Sequence, residues 1–72
     1  MKVTVIGCGR WGSLIAWYLD KIKHEVTLYG RPSSKHMQEL IGTRSNGILN
    51  LPKSINLNTS LNSIKDADII II

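Results

Sequence analysis

The chain has 72 residues, enough for one small domain at most, and a domain of that size buries only about 60% of the surface its unfolded chain exposes. Nine Lys and Arg against five Asp and Glu give a net charge of +4. The basic residues are scattered from Lys2 to Lys65, with no basic stripe or interleaved aromatics to suggest a nucleic-acid surface, and the modest positive field suits a phosphate-bearing ligand. The single cysteine, Cys8, excludes an internal disulfide and a cysteine zinc cluster and fits a reducing compartment. The apolar run before Gly7 is too short for a signal peptide or a membrane span, so a soluble cytoplasmic protein is expected.

Val3, Thr4, Val5 and Ile6 form a β-branched run that predicts a strand and stops at Gly7. The spacing Gly7-x-Gly9-x-x-Gly12 follows at once. Leu14, Ile15, Tyr18, Leu19 and Ile22 then recur at helical spacing and predict the apolar stripe of a helix. Strand, glycine turn and helix in this order are the context of a dinucleotide-binding fingerprint. Gly7 permits the tight turn, Gly9 lets the backbone approach a pyrophosphate, and Gly12 lets the helix pack closely on the strand. Backbone N–H groups of the first helical turn, including those of Arg10 and Trp11, would face the anion, aided by the helix dipole. The bland alternative is a βαβ unit whose glycines serve packing alone. Trp11 has two readings, covering the cofactor or packing beneath the turn.

Lys21 to His24 close the helix with positive charge, and Glu25 to Tyr29 form a second strand, parallel to the first. Gly30 to Ser34 is a turn, with Ser33 or Ser34 as N-cap of a second helix whose stripe is Met37, Leu40 and Ile41, ending near Gly42. Thr43 to Ser54 reads as a loop. Ile55 to Thr59 alternates apolar and polar residues, as an edge strand does, and Leu61, Ile64 and Lys65 belong to a short helix or turn. Ile69 to Ile72 is a continuous apolar run, expected to be buried on both faces. The fold class is therefore α/β: a Rossmann-type parallel sheet, N-terminal half, strand order 3-2-1-4, with the first and fourth strands at the centre. A complete dinucleotide domain needs about twice this length, and the chain stops on the fourth strand. The reading is that of a truncated domain, the N-terminal part of a longer protein.

The end of the second strand bears on the choice of nicotinamide cofactor. An acidic residue there would hold the ribose 2′-hydroxyl of NAD. This chain instead has Tyr29-Gly30-Arg31, with Arg31 19 positions past Gly12. A guanidinium can pair bidentately with a 2′-phosphate, so NADP(H) is favoured over NAD(H). The expected cofactor-binding residues are Gly7, Gly9, Arg10, Trp11, Gly12 and Arg31. Trp17 and Tyr18 are read as core and surface of the first helix. Cys8 needs only to be small, and His24 and His36 stand alone as surface histidines. No catalytic dyad or triad and no metal site can be assembled from these residues.

With these residues in view, the chain resembles the bacterial NAD(P)-dependent glycerol-3-phosphate dehydrogenases. The resemblance runs through Gly7-Cys8-Gly9-Arg10-Trp11-Gly12, with Trp directly before the third glycine, and through Val26 to Arg31. Arg44-Ser45-Asn46, Leu51-Pro52-Lys53-Ser54-Ile55 and Ala67-Asp68 with the final Ile run complete it. The loop between Asn46 and Leu51 is shorter than the family's, and Ile48 or Leu49 stands where an aromatic is often found, so no cofactor contact is assigned to it. The resemblance implies interconversion of sn-glycerol 3-phosphate and dihydroxyacetone phosphate by hydride transfer, feeding phospholipid synthesis. It also implies that the catalytic lysine and the ligands of this small phosphorylated substrate lie beyond residue 72, in the rest of the cofactor domain and a helical substrate domain. The full-length protein is left free to form oligomers, and residues 1–72 alone are expected to be inactive. Two other readings compete. Ketopantoate reductases share the glycine turn and the Arg after the second strand but usually lack a residue like Trp11. A non-catalytic nucleotide-binding regulatory domain would tend to carry an acid where Arg31 stands.

Overall fold

A computed structural model describes residues 1–45, 47 and 49–72. Asn46 and Ile48, both named in the comparison of loop motifs above, lie outside the described residues. The elements in order are β1 (Lys2–Ile6), α1 (Arg10–Lys21), β2 (Glu25–Tyr29), α2 (Lys35–Thr43), β3 (Asn56–Asn58), a single 3₁₀ turn (Leu61–Ile64) and β4 (Ile69–Ile71). The strands form one sheet in the order β3-β2-β1-β4, and every pairing is parallel. This is the predicted half of a Rossmann-type sheet.

The register explains the core. Val3 pairs with Val26 and Val5 with Leu28, so these four side chains share one face of the sheet. All four are buried, together with Ala16 of α1, Met37 and Leu40 of α2, and Leu51 and Ile55 from the segment leading into β3. On the other face Thr4 lies between Thr27 and Ile70. The alternation in β3 is that of an edge strand, as expected.

Both helices end for local reasons. After α1 the chain turns through Lys23 at φ 75°, where the Lys23 N–H donates to the Asp20 carbonyl and the His24 N–H to the Leu19 carbonyl, a Schellman closure. In α2 the Ser34 hydroxyl caps the N-terminus by accepting from the Met37 N–H, so Ser34 rather than Ser33 fills that role.

Three packing expectations are corrected. The side of α1 that meets the sheet is marked by Ser13 and Ala16, both fully buried, whereas Leu14, Tyr18 and Ile22 are 44%, 56% and 45% exposed. The helix lies so close to the strand ends at Gly12 that only small residues fit along the line of contact; Ile15, Trp17 and Leu19 pack at its margins. In α2, Met37 and Leu40 are buried but Ile41 is exposed. The third concerns the burial of β4: the strand order is the expected one, and within these 72 residues β4 forms one edge of the sheet. Its Ile69 and Ile70 are 44% and 42% exposed, because nothing among the described residues pairs with its free side.

The loop after α2 hangs on Arg44. Its backbone adopts the left-handed conformation that closes the helix, with its N–H donating to the Leu40 carbonyl at 2.7 Å. Its guanidinium donates from Nε to the Leu51 carbonyl at 3.3 Å and from Nη2 to the carbonyls of Pro52, at 2.6 Å, and Ile55. One side chain therefore ties the end of α2 to the entry of β3. A hydrogen bond from a charged group contributes about 1.5–3 kcal/mol net of the bonds to water it replaces, and three bonds sharing one half-exposed side chain do not add in full. Arg44→Ala is expected to destabilise the fold by about 2–3 kcal/mol, measured as a lower denaturant midpoint, with Arg44→Lys recovering only part of the loss. An unchanged midpoint would show that water replaces the guanidinium at no cost.

Candidate functional site

The glycine turn sits at the carboxyl ends of β1 and β2, where ligands bind in open parallel sheets. Gly7 leaves β1 at φ 115°, a conformation L side chains rarely adopt, and its N–H donates to the Tyr29 carbonyl at 3.0 Å. Gly9 is the N-cap of α1 and offers no side-chain cap. The helical ladder begins with the Ser13 N–H on the Gly9 carbonyl at 2.9 Å, so the amides of Arg10, Trp11 and Gly12 are outside it. A Cβ on Gly9 would meet nothing of the protein within 4 Å, so the protein's own packing does not require glycine there. A Cβ on Gly12 would fall 1.8 Å from the Gly7 carbonyl oxygen. The buried hydroxyl of Ser13 donates to the Cys8 carbonyl at 3.3 Å, holding the turn against the helix.

Two clefts flank this turn. One, of about 270 Å³, is bounded by Gly7, Gly9, Arg10, Trp11 and Gly12 on one side and by Ile71 and Ile72 on the other. Its neighbour, of about 260 Å³, is bounded by Gly7 and Cys8 after β1 and by Tyr29, Gly30, Arg31 and Ser34 after β2. Ile6 and Gly7 border both clefts, and between them the two clefts are lined by all six residues expected from the sequence. Trp11 is 78% exposed, which removes the reading that packs it beneath the turn. A larger concavity, about 390 Å³, lies elsewhere, over residues including Lys2, Thr4, Glu25, Thr27 and Asn58. It has no glycine turn and no helix N-terminus to hold an anion. Free amides, open space at Gly9, positive φ at Gly7 and close packing at Gly12 are together what a pyrophosphate needs from a protein, so the residues present fit a dinucleotide.

The sequence reading missed three residues of the second cleft as a group. Cys8 is 7% exposed, with Sγ 3.3 Å from Oγ of Ser34. A Cβ on Gly30 would stand 2.8 Å from that sulfur and 2.7 Å from Sδ of Met37. The only signal in the sequence was the position of Gly30 directly after β2. His36 is exposed and His24 half-buried. Among the described residues no cluster of His, Cys, Asp and Glu could hold a metal ion, and no helix is long and apolar enough to cross a membrane.

Residues 2–72 match the family described as NAD-dependent glycerol-3-phosphate dehydrogenase N-terminus. The chain belongs to that family. Similar proteins named glycerol-3-phosphate dehydrogenase, NAD(P)+, come from Thermoanaerobacter sp. (strain X514), at 32% identity, and Orientia tsutsugamushi (strain Boryong), at 40%. A third, from Nitrosomonas eutropha, is 35% identical. Each alignment covers the whole of this chain and 23% of the relative. The chain thus spans less than a quarter of the length of these relatives. No solved structure gives a significant match.

Proposed function

We propose that residues 1–72 are the N-terminal, phosphate-holding part of the cofactor domain of an NAD(P)-dependent glycerol-3-phosphate dehydrogenase. The observation that carries this reading is the glycine turn, where α1 starts at Gly9 with three amides outside its ladder and approaches β1 as closely as Gly12 allows. When bound, the nicotinamide accepts or donates the hydride that interconverts sn-glycerol 3-phosphate and dihydroxyacetone phosphate. This chain's part is orientation. The amides of Arg10 and Trp11, at the positive end of α1, hold the pyrophosphate. Arg31, on the turn after β2, pairs with the 2′-phosphate and favours NADP(H) over NAD(H). The exposed indole of Trp11 stands at the rim, placed to cover the bound cofactor. The hydride-transfer machinery and the ligands of the substrate phosphate are assigned to residues outside 1–72, in a remaining cofactor segment and a substrate domain, of a protein expected in the cytoplasm.

The test is an assay of NADPH oxidation by the intact protein carrying this chain, with dihydroxyacetone phosphate and separately with ketopantoate. Turnover of dihydroxyacetone phosphate alone is expected. Turnover of ketopantoate instead would overturn the substrate assignment, and tight NADPH binding with neither reaction would point to a regulatory nucleotide-binding role.

A further inference from the structure

The turn that carries Arg31 is held by the Gly30 N–H on the Asn58 carbonyl, by Nε2 of Gln38 on the Pro32 carbonyl, and by Ser34, which alone among these reaches the glycine turn. Ser34 closes it through the backbone, donating its N–H to the Arg31 carbonyl at 3.0 Å, and its Oγ accepts from the Met37 N–H at 3.3 Å at the start of α2. The same hydroxyl oxygen lies 3.3 Å from Sγ of Cys8, which belongs to the glycine turn after β1. That sulfur cannot drift: Cys8 is 7% exposed and packs where only the missing side chain of Gly30 leaves room. Cys8, Gly30, Arg31 and Ser34 all border the same cleft. The two loops that approach the cofactor are therefore joined side chain to side chain across its floor, 26 residues apart in sequence.

We propose that Ser34 and Cys8 are a positioning pair that fixes the turn of Arg31 relative to the glycine turn and so sets the preference for NADPH. This rests on the reading of Arg31 as the 2′-phosphate ligand. The pyrophosphate and the 2′-phosphate of one cofactor are a fixed number of bonds apart, so both are held well only if the protein keeps the matching spacing in advance. Arg31 is exposed and must order its side chain on binding. With the turn pinned at its base, only that side chain has to be ordered. NADH lacks the 2′-phosphate and gains little from the spacing. Loosening the pair should therefore act on NADPH selectively.

The intact protein carrying this chain would be titrated with NADPH and with NADH, as wild type and as Cys8→Ala, Cys8→Ser, Ser34→Ala and Arg31→Ala. Cys8→Ala leaves the cap of α2 in place but removes the sulfur both from the link and from the core around Gly30 and Met37, so its effect is read as selectivity between the two cofactors and against Cys8→Ser, which keeps most of the volume. Cys8→Ala is expected to weaken NADPH binding about fivefold, the scale of one hydrogen bond, while NADH binding changes by less than about twofold. Cys8→Ser, which keeps a hydroxyl toward Ser34, should restore most of the loss. In the Ser34→Ala background Cys8→Ala should add little, since both act through one contact. Equal weakening of both cofactors would reduce Cys8 to a packing residue and overturn the proposal, as would no weakening at all. Arg31→Ala separates the two readings. If it collapses the preference while Cys8→Ala leaves it intact, only the pair falls. If Arg31→Ala leaves the preference unchanged, the 2′-phosphate assignment falls and takes the pair with it.

Discussion

Gly12→Ala is expected to destabilise the fold by about 3 kcal/mol or more and to abolish dinucleotide binding. The added Cβ would sit 1.8 Å from the Gly7 carbonyl oxygen and 2.9 Å from its carbon, and real Cβ atoms essentially never come within 3.0 Å of such neighbours. Neither partner is a flexible side chain that could swing away. Relief therefore requires α1 to lift from the end of β1 by more than an ångström, which opens the contact along Ser13 and Ala16, both fully buried. The loss is a large share of what a chain of this length holds, at roughly 0.1 kcal/mol per residue. The same shift moves the amides of Arg10 and Trp11 away from the turn, so binding and stability are lost together. Gly9→Ala is the control. Its φ of −71° suits any residue and its Cβ would meet open space, so the fold should survive while an approaching pyrophosphate is blocked. Thermal unfolding by circular dichroism and NADPH titration of both variants check the pair. A normally stable Gly12→Ala variant would mean that the close approach is not a structural requirement.

The contrast between these two glycines shows what sequence can convey. The order of elements was legible because each boundary has a local cause: a β-branched run cut by glycine before α1, five residues Glu25–Tyr29 between charged and turn-forming neighbours, a serine capping α2. The glycine turn was legible for the same reason, since Gly7, Gly9 and Gly12 act within a span of six residues. The sheet-facing side of α1 was not. Apolar residues occur on more than one side of that helix, and the choice between them was made by distance from the sheet, which favoured Ser13 and Ala16 over larger side chains. The exposure of the final isoleucine run was not legible for a related reason: four isoleucines read as core whatever pairs with them, yet within these 72 residues nothing described covers the free side of β4. Contacts distant in sequence were invisible altogether. Nothing in Cys8, Ser34 or Gly30 announces that the three meet, and the three carbonyls that Arg44 gathers lie seven to eleven residues beyond it.

Arg31→Asp should invert the cofactor preference, lowering the ratio of kcat/KM for NADPH to that for NADH about a hundredfold. Two effects combine. On the proposed assignment, the guanidinium, whose fork matches a phosphate, is lost, and a carboxylate takes its place toward the 2′-phosphate, where like charge repels. For NADH the sign reverses, because a carboxylate at the end of β2 can accept hydrogen bonds from the ribose 2′-hydroxyl. The side chain is exposed and the turn beneath it is held by Ser34, by Gln38 on the Pro32 carbonyl and by backbone bonds, none of which uses the Arg31 side chain, so the substitution should leave the fold intact. Exposure also means screening. If Arg31 confers the proposed NADPH preference, that preference should shrink as ionic strength rises toward and beyond the point where the Debye length reaches about 8 Å, while the NADH rate stays nearly level. Steady-state kinetics on the intact protein at two salt concentrations test both statements. A ratio that does not move with Arg31→Asp would remove Arg31 from the 2′-phosphate site. A ratio that moves but ignores salt would place the effect in the shape of the turn, since charge acting across solvent must respond to counterions.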